Sequence, residues 1–84
     1  MNANDGGARF EQILGEKLIR FKDAVSYLPG GLQVHYSTLH RWRIRGCRGV
    51  KLETILIGGH RYTSSEAIRR FLRATAKRGG AERN

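Results

Sequence analysis

The run Ser37-Thr38-Leu39-His40-Arg41-Trp42-Arg43-Ile44-Arg45-Gly46 carries the strongest structural signal in the chain. Ser37 is a good helix N-cap, because a short hydroxyl can accept from an early N–H that has no partner within the helix. Gly46 supplies the stop. A helix from Ser37 to about Arg45 is therefore predicted. On its wheel Leu39 and Trp42 share one side and should face a preceding helix. Thr38, His40, Arg41 and Arg45 lie away from that side or on its flanks. Ile44 also points outward and needs cover from whatever follows.

Towards the N-terminus, Phe21, Ala24, Val25 and Leu28 follow the i, i+3, i+4, i+7 spacing of one helical face. Asp23 falls in the first turn, where the helix dipole favours an acid. Pro29-Gly30-Gly31 ends that helix, and Leu32 to Tyr36 is a connector. Further back, Phe10, Ile13 and Leu14 suggest a short leading helix that Gly15 weakens or ends. Towards the C-terminus, Cys47 to Val50 is a short basic loop. The aliphatic run Leu52 to Ile57 and the run Arg61 to Thr63 flank Gly58-Gly59, a hairpin signal because a two-residue turn needs positive φ. That turn sets Ile57 against His60, Leu56 against Arg61 and Ile55 against Tyr62. Ile55, Ile57 and Tyr62 then share a core face, with Leu56 and Arg61 on the other. Thr63-Ser64-Ser65-Glu66 fits a capping box with Thr63 as N-cap and Glu66 reaching back. The last helix sets Ile68, Phe71, Leu72 and Thr75 on one side and Arg69, Arg70, Arg73 and Lys77 on the other. Arg69 and Arg70 are expected to keep the surface wet. The fold class expected is mostly α with a small β-hairpin, in the order helix, helix, hairpin, helix. It occupies residues 9–77, between a disordered start (1–8) and a flexible tail (78–84).

A chain of 84 residues is one domain with a marginal core. Its single cysteine, Cys47, allows no internal disulfide and no cysteine-based zinc site, which suits a reducing intracellular setting. No apolar run approaches the roughly 18 residues of a membrane span. The polar, Gly-rich stretch Met1 to Gly7 is not a secretory signal. Sixteen Lys and Arg against seven Asp and Glu give a net charge of +9, with a pI near 10.9. Such a balance points to polyanions.

Placement sharpens that inference. Arg41, Arg43, Arg45, Arg48 and Lys51 fall within eleven residues that hold no acid. Solvated faces normally mix signs, so a single-sign cluster on and after a capped helix suits phosphates. Two short amphipathic helices with an Arg-rich second one are what a helix-turn-helix needs. Base reading is assigned to Thr38, His40 and Arg41, and phosphate contact to Ser37, Arg43, Arg45, Arg48 and Lys51. His60 and Arg61, just past the hairpin tip, would place a wing on the backbone or minor groove. Trp42 and Tyr62 are expected in the core rather than as stacking platforms for RNA or single strands. Catalysis is not expected. His35, His40, His60 and Cys47 match no known metal spacing, Gly58-Gly59 is too short for a phosphate loop, and Cys47 has no evident partner base.

The runs Ser37 to Trp42, Arg48-Gly49-Val50-Lys51-Leu52-Glu53-Thr54, Ile57-Gly58-Gly59 and Arg61 to Ser64 also carry a resemblance. They look like a family of small bacterial proteins known as a domain of unknown function, over roughly Ile13 to Leu72. More broadly they are similar to the excisionase and MerR-type winged helix-turn-helix. In that group two consecutive polar positions before a buried aromatic contact DNA, which implies His40 and Arg41 ahead of Trp42. The sequence shows no long C-terminal dimerisation helix and no effector domain, so ligand sensing is not implied. The expectation is sequence-specific binding of double-stranded DNA, as an excisionase-like recombination accessory factor or a small transcriptional regulator. It would work in the cytoplasm on the nucleoid, beside a recombinase or further copies of itself, with no cofactor, metal, membrane or small-molecule ligand. The competing classes are a basic adaptor gripping an acidic protein and an RNA-binding module.

Overall fold

The structure, a computed structural model, describes residues 9–80. Residues 9–14 form a leading helix, α1. Strand β1 (Leu18–Arg20) follows, then a tight 3-10 helix, Phe21–Tyr27, and helix α2 (Tyr36–Ile44). Strands β2 (Ile55–Ile57) and β3 (His60–Ser64) lead into α3 (Ser65–Gly80). The expectations for residues 1–8 and 81–84 lie outside the described residues. No helix among the described residues is long and apolar enough to cross a membrane.

The three strands form one antiparallel sheet in the order β1-β3-β2. Its hairpin has the register expected from the sequence, with Ile55 opposite Tyr62, Leu56 opposite Arg61 and Ile57 opposite His60. Gly58 and Gly59 have φ of 55° and 83°, the positive pair that a tight turn between twisted strands demands. Strand β1 was not expected. It pairs Leu18 with Ser64, Ile19 with Thr63 and Arg20 with Tyr62, so the architecture is mixed α/β rather than mostly α with a lone hairpin. A three-residue strand is too short to leave a period-2 signature, and its partner lies more than forty residues away.

Each face of the sheet carries a core cluster. One core gathers Ile19, Phe21, Ala24, Leu28, Leu39, Leu52, Ile68 and Phe71, joining the sheet to α2 and α3. The other gathers Ile13, Ile55 and Ala67, with Ile57 and Tyr62 packed against them, as the hairpin faces predicted. Of the three apolar residues read into α1, Ile13 is buried, whereas Phe10 and Leu14 stay exposed.

Three local expectations are corrected. The segment after β1 is a 3-10 helix, not an α-helix. Arg20 is pinned in the sheet and Leu28 precedes a proline that holds it extended, which leaves room for two tight turns. Helix α2 starts at Tyr36, and Ser37 does not cap it. Its cap residue is His35, whose carbonyl accepts from the N–H of Thr38 at 2.9 Å, while the Tyr36 ring packs edge-on to Phe21 at 5.7 Å. Thr63 is not the cap of α3, because pairing with β1 holds it in the sheet, where its hydroxyl donates to the Glu53 carbonyl. Ser64 takes that role, accepting from the Ala67 N–H at 2.8 Å. Glu66 accepts from the Lys17 N–H instead of reaching back.

Candidate nucleic-acid interface

Helix α2 is fixed from three sides. Leu39 is fully buried, and Trp42 lies 4.8 Å from Phe71 of α3 between ring centroids. The Leu52 N–H donates to the Trp42 carbonyl and ties the following loop to the helix. At the C-terminal end the N–H groups of Arg45 and Gly46 both donate to the Arg41 carbonyl, and Gly46 has φ of 85°. A Cβ on Gly46 would sit 2.5 Å from the Val50 carbonyl oxygen, so glycine is needed there for space as well as conformation. With its buried side committed, α2 presents Ser37, His40, Arg41, Ile44 and Arg45 to solvent, and Thr38 is half-buried. His40 stacks on Tyr36. Ile44 remains uncovered, with 47% of its surface exposed.

The other expected contacts fall in two places. His40, Arg43, His60 and Arg61 line one open cleft where the hairpin tip meets α2. Arg43 and Lys51 also line a wider groove of about 540 Å³ with Arg9 and Gly49. Arg45 and Arg48 are exposed and belong to neither. Arg48 sits in the tight turn between Cys47 and Val50, which bridge each other, and Cys47 packs against the core. Arg61 donates to the Thr54 hydroxyl at 2.9 Å, which holds its side chain along the hairpin.

Arg43 is the least ordinary of these cations. Its guanidinium lies 5.9 Å from the centre of the Phe21 ring, and its Nε is buried without a hydrogen-bond partner. Burial, and then the charge of Arg61, hold its pKa below the usual guanidinium value. Sequence reasoning missed Arg20 and Lys22, which line the same cleft. Their signal was absent because the cleft depends on β1, which the sequence does not announce.

Arg70 corrects a further expectation. It is not a wetting residue but bridges Glu16 and Glu53, each at 2.7 Å. These hydrogen bonds, Glu16 first, raise its pKa above the ordinary value despite partial burial. The Arg70 hydrogen bond, helped by the Ser64 hydroxyl, holds the Glu16 carboxyl below the usual carboxylate range despite partial burial. Arg69 is exposed, as expected.

One family profile, described as "Protein of unknown function (DUF1580)", matches residues 21–76. Comparison with curated proteins and with solved structures gave no match.

Proposed function

The chain belongs to the DUF1580 family of proteins of unknown function, and from that premise we propose that it binds double-stranded DNA with sequence preference. In this reading the 3-10 helix and α2 act as a helix-turn-helix, and the β2-β3 hairpin acts as the wing beside it. One observation carries the reading. Helix α2 buries Leu39 and turns His40 and Arg41 outward, next to a hairpin tip that brings Arg61 alongside. A helix held this way can lay its outer face in the major groove, where arginine pairs with guanine O6 and N7. The resemblance to excisionase and MerR-type domains supports the same roles by analogy of fold, which suggests function without fixing it. His40 and Arg41, with Thr38, read bases. Arg45, Arg48 and Lys51 meet phosphates, and the biological setting is recombination or local transcription control.

The test is selection from a random duplex pool at about 150 mM salt, where non-specific binding is weak. We expect an enriched site, and we expect Arg41→Ala to erase the preference at one base pair, a loss of about 1–3 kcal/mol. No enrichment would turn the reading to a basic adaptor for an acidic protein. An enriched site read equally well by Arg41→Ala would remove α2 as the reading element.

A further inference from the structure

The cleft between α2 and the hairpin tip has a volume of about 200 Å³, and its make-up is not explained by base reading. Four cationic residues line it, from three parts of the chain. Arg20 and Lys22 come from the junction of β1 with the 3-10 helix, Arg43 from α2 and Arg61 from β3. No Asp or Glu lines it. Both ion pairs among the described residues belong to Arg70, so none of the four has a carboxylate partner there. Like charges brought together without a counter-charge oppose folding, and here the fold brings them together anyway.

The side chains are also oriented rather than loose. Arg20 lies over the Tyr62 ring at 5.9 Å and its Nη2 is 3.1 Å from Nδ1 of His60. This contact places the Arg20 charge on the Tyr62 face of the sheet, opposite the face of Arg61. Arg61 is held by Thr54, and Arg43 rests against Phe21 with a buried N–H that has no acceptor. The edge-packed rings of Phe21 and Tyr36 form an apolar wall. Preoriented donors and excess positive charge ask for an acceptor-rich anion.

We propose that this cleft is a binding site for a phosphate oxyanion, held jointly by Lys22, Arg43 and Arg61, and filled in use by one backbone phosphodiester of duplex DNA. The source of the phosphate rests on the DNA-binding reading above, whereas the chemistry of the cleft does not. A phosphate seated there would register the duplex between the reading face of α2 and the hairpin, through residues that touch no base.

The salt dependence of duplex binding tests the proposal with the full chain. Removing the protein's hold on one phosphate lowers the slope of log K against log salt by about 0.9. Lys22→Gln, Arg61→Gln and the double variant should each lower it, the double variant by no more than about 0.9, because these cations serve one phosphate. An unchanged slope in the double variant, or a fall of about twice that value, would overturn the shared site. Circular-dichroism melting checks the fold. Lys22 is exposed on the 3-10 helix, so Lys22→Gln stands alone if Arg61→Gln unfolds. If the wild-type chain binds no duplex, titration with inorganic phosphate against chloride of equal ionic strength decides the site. Saturable shifts of the Arg43 and Arg61 Nε–H resonances would uphold the cleft while the DNA reading falls. Absence of those shifts would sink both. Duplex binding with an unaltered slope sinks the cleft alone.

Discussion

Arg48 has φ of 53°, a left-handed conformation that costs most L-residues about 1–2 kcal/mol. Its neighbour Gly49 has φ of 83°, so together they make the two-residue turn between Cys47 and Val50. Asparagine tolerates that region better. Arg48→Asn should therefore raise stability by up to about 1 kcal/mol, read from urea unfolding. Under the proposed function it should also lower the salt slope of duplex binding by about 0.9, since the neutral side chain no longer neutralises a phosphate. A variant that gains stability and keeps its slope would show that this guanidinium meets no phosphate. The charge of Arg48 was legible in the sequence. Its backbone was not, because nothing local in Cys47-Arg48-Gly49-Val50 announces which residue takes the unfavourable φ.

Elements are joined here by one polar knot. Glu16, just after α1, accepts from Arg70 of α3 and from the Ser64 hydroxyl at 2.6 Å, and Arg70 also holds Glu53 before β2. Ser64 in turn caps α3, so four segments share a single network. The folded pKa of Glu16 lies below its unfolded value, mainly through the Arg70 hydrogen bond. Its stabilisation is thus complete above the unfolded pKa, about 4.3, and lost as pH falls through the folded one. Glu16→Gln should lower stability by about 2 kcal/mol at pH 7, since hydrogen bonds to charged groups contribute that order. The penalty should shrink by pH 3, measured as the difference in urea midpoints. A constant penalty across that range would mean that the charge of Glu16 is not what stabilises. The Gly-Gly turn and period-2 runs made the hairpin register readable. The sequence placed the cap of α3 at Thr63, and only the pairing of β3 with β1 moved it to Ser64.

At the scale of the whole molecule, the family match begins at Phe21, yet much of what secures the sheet precedes it. Ile13 is fully buried in the core under the hairpin, and Ile19, 4% exposed, joins the core with α2 and α3. Burial of two such side chains contributes about 4 kcal/mol at roughly 2 kcal/mol each. A domain of this size has only about 0.05–0.15 kcal/mol of stability per residue to draw on. A fragment of residues 21–76 should therefore lack a cooperative thermal transition by circular dichroism, whereas the full chain shows one. A cooperatively folding fragment would mean that β1 and α1 are accessory to the fold.

The sequence by itself determined the elements whose signals are local. These are the amphipathic helix around Leu39 and Trp42, the Gly58-Gly59 hairpin with its register, the apolar side of α3, and the acid-free cluster from Arg41 to Lys51. Tertiary structure alone decided the third strand, the partners of Arg70 and the gathering of Arg20, Lys22, Arg43 and Arg61 around one cleft. The division has a physical cause. Periodicity and turn chemistry act over a few residues and are written in order along the chain. Pairing of β1 with β3 and the lining of one cleft by distant cations depend on which segments fold back on one another, and a three-residue strand carries too little pattern to reveal that.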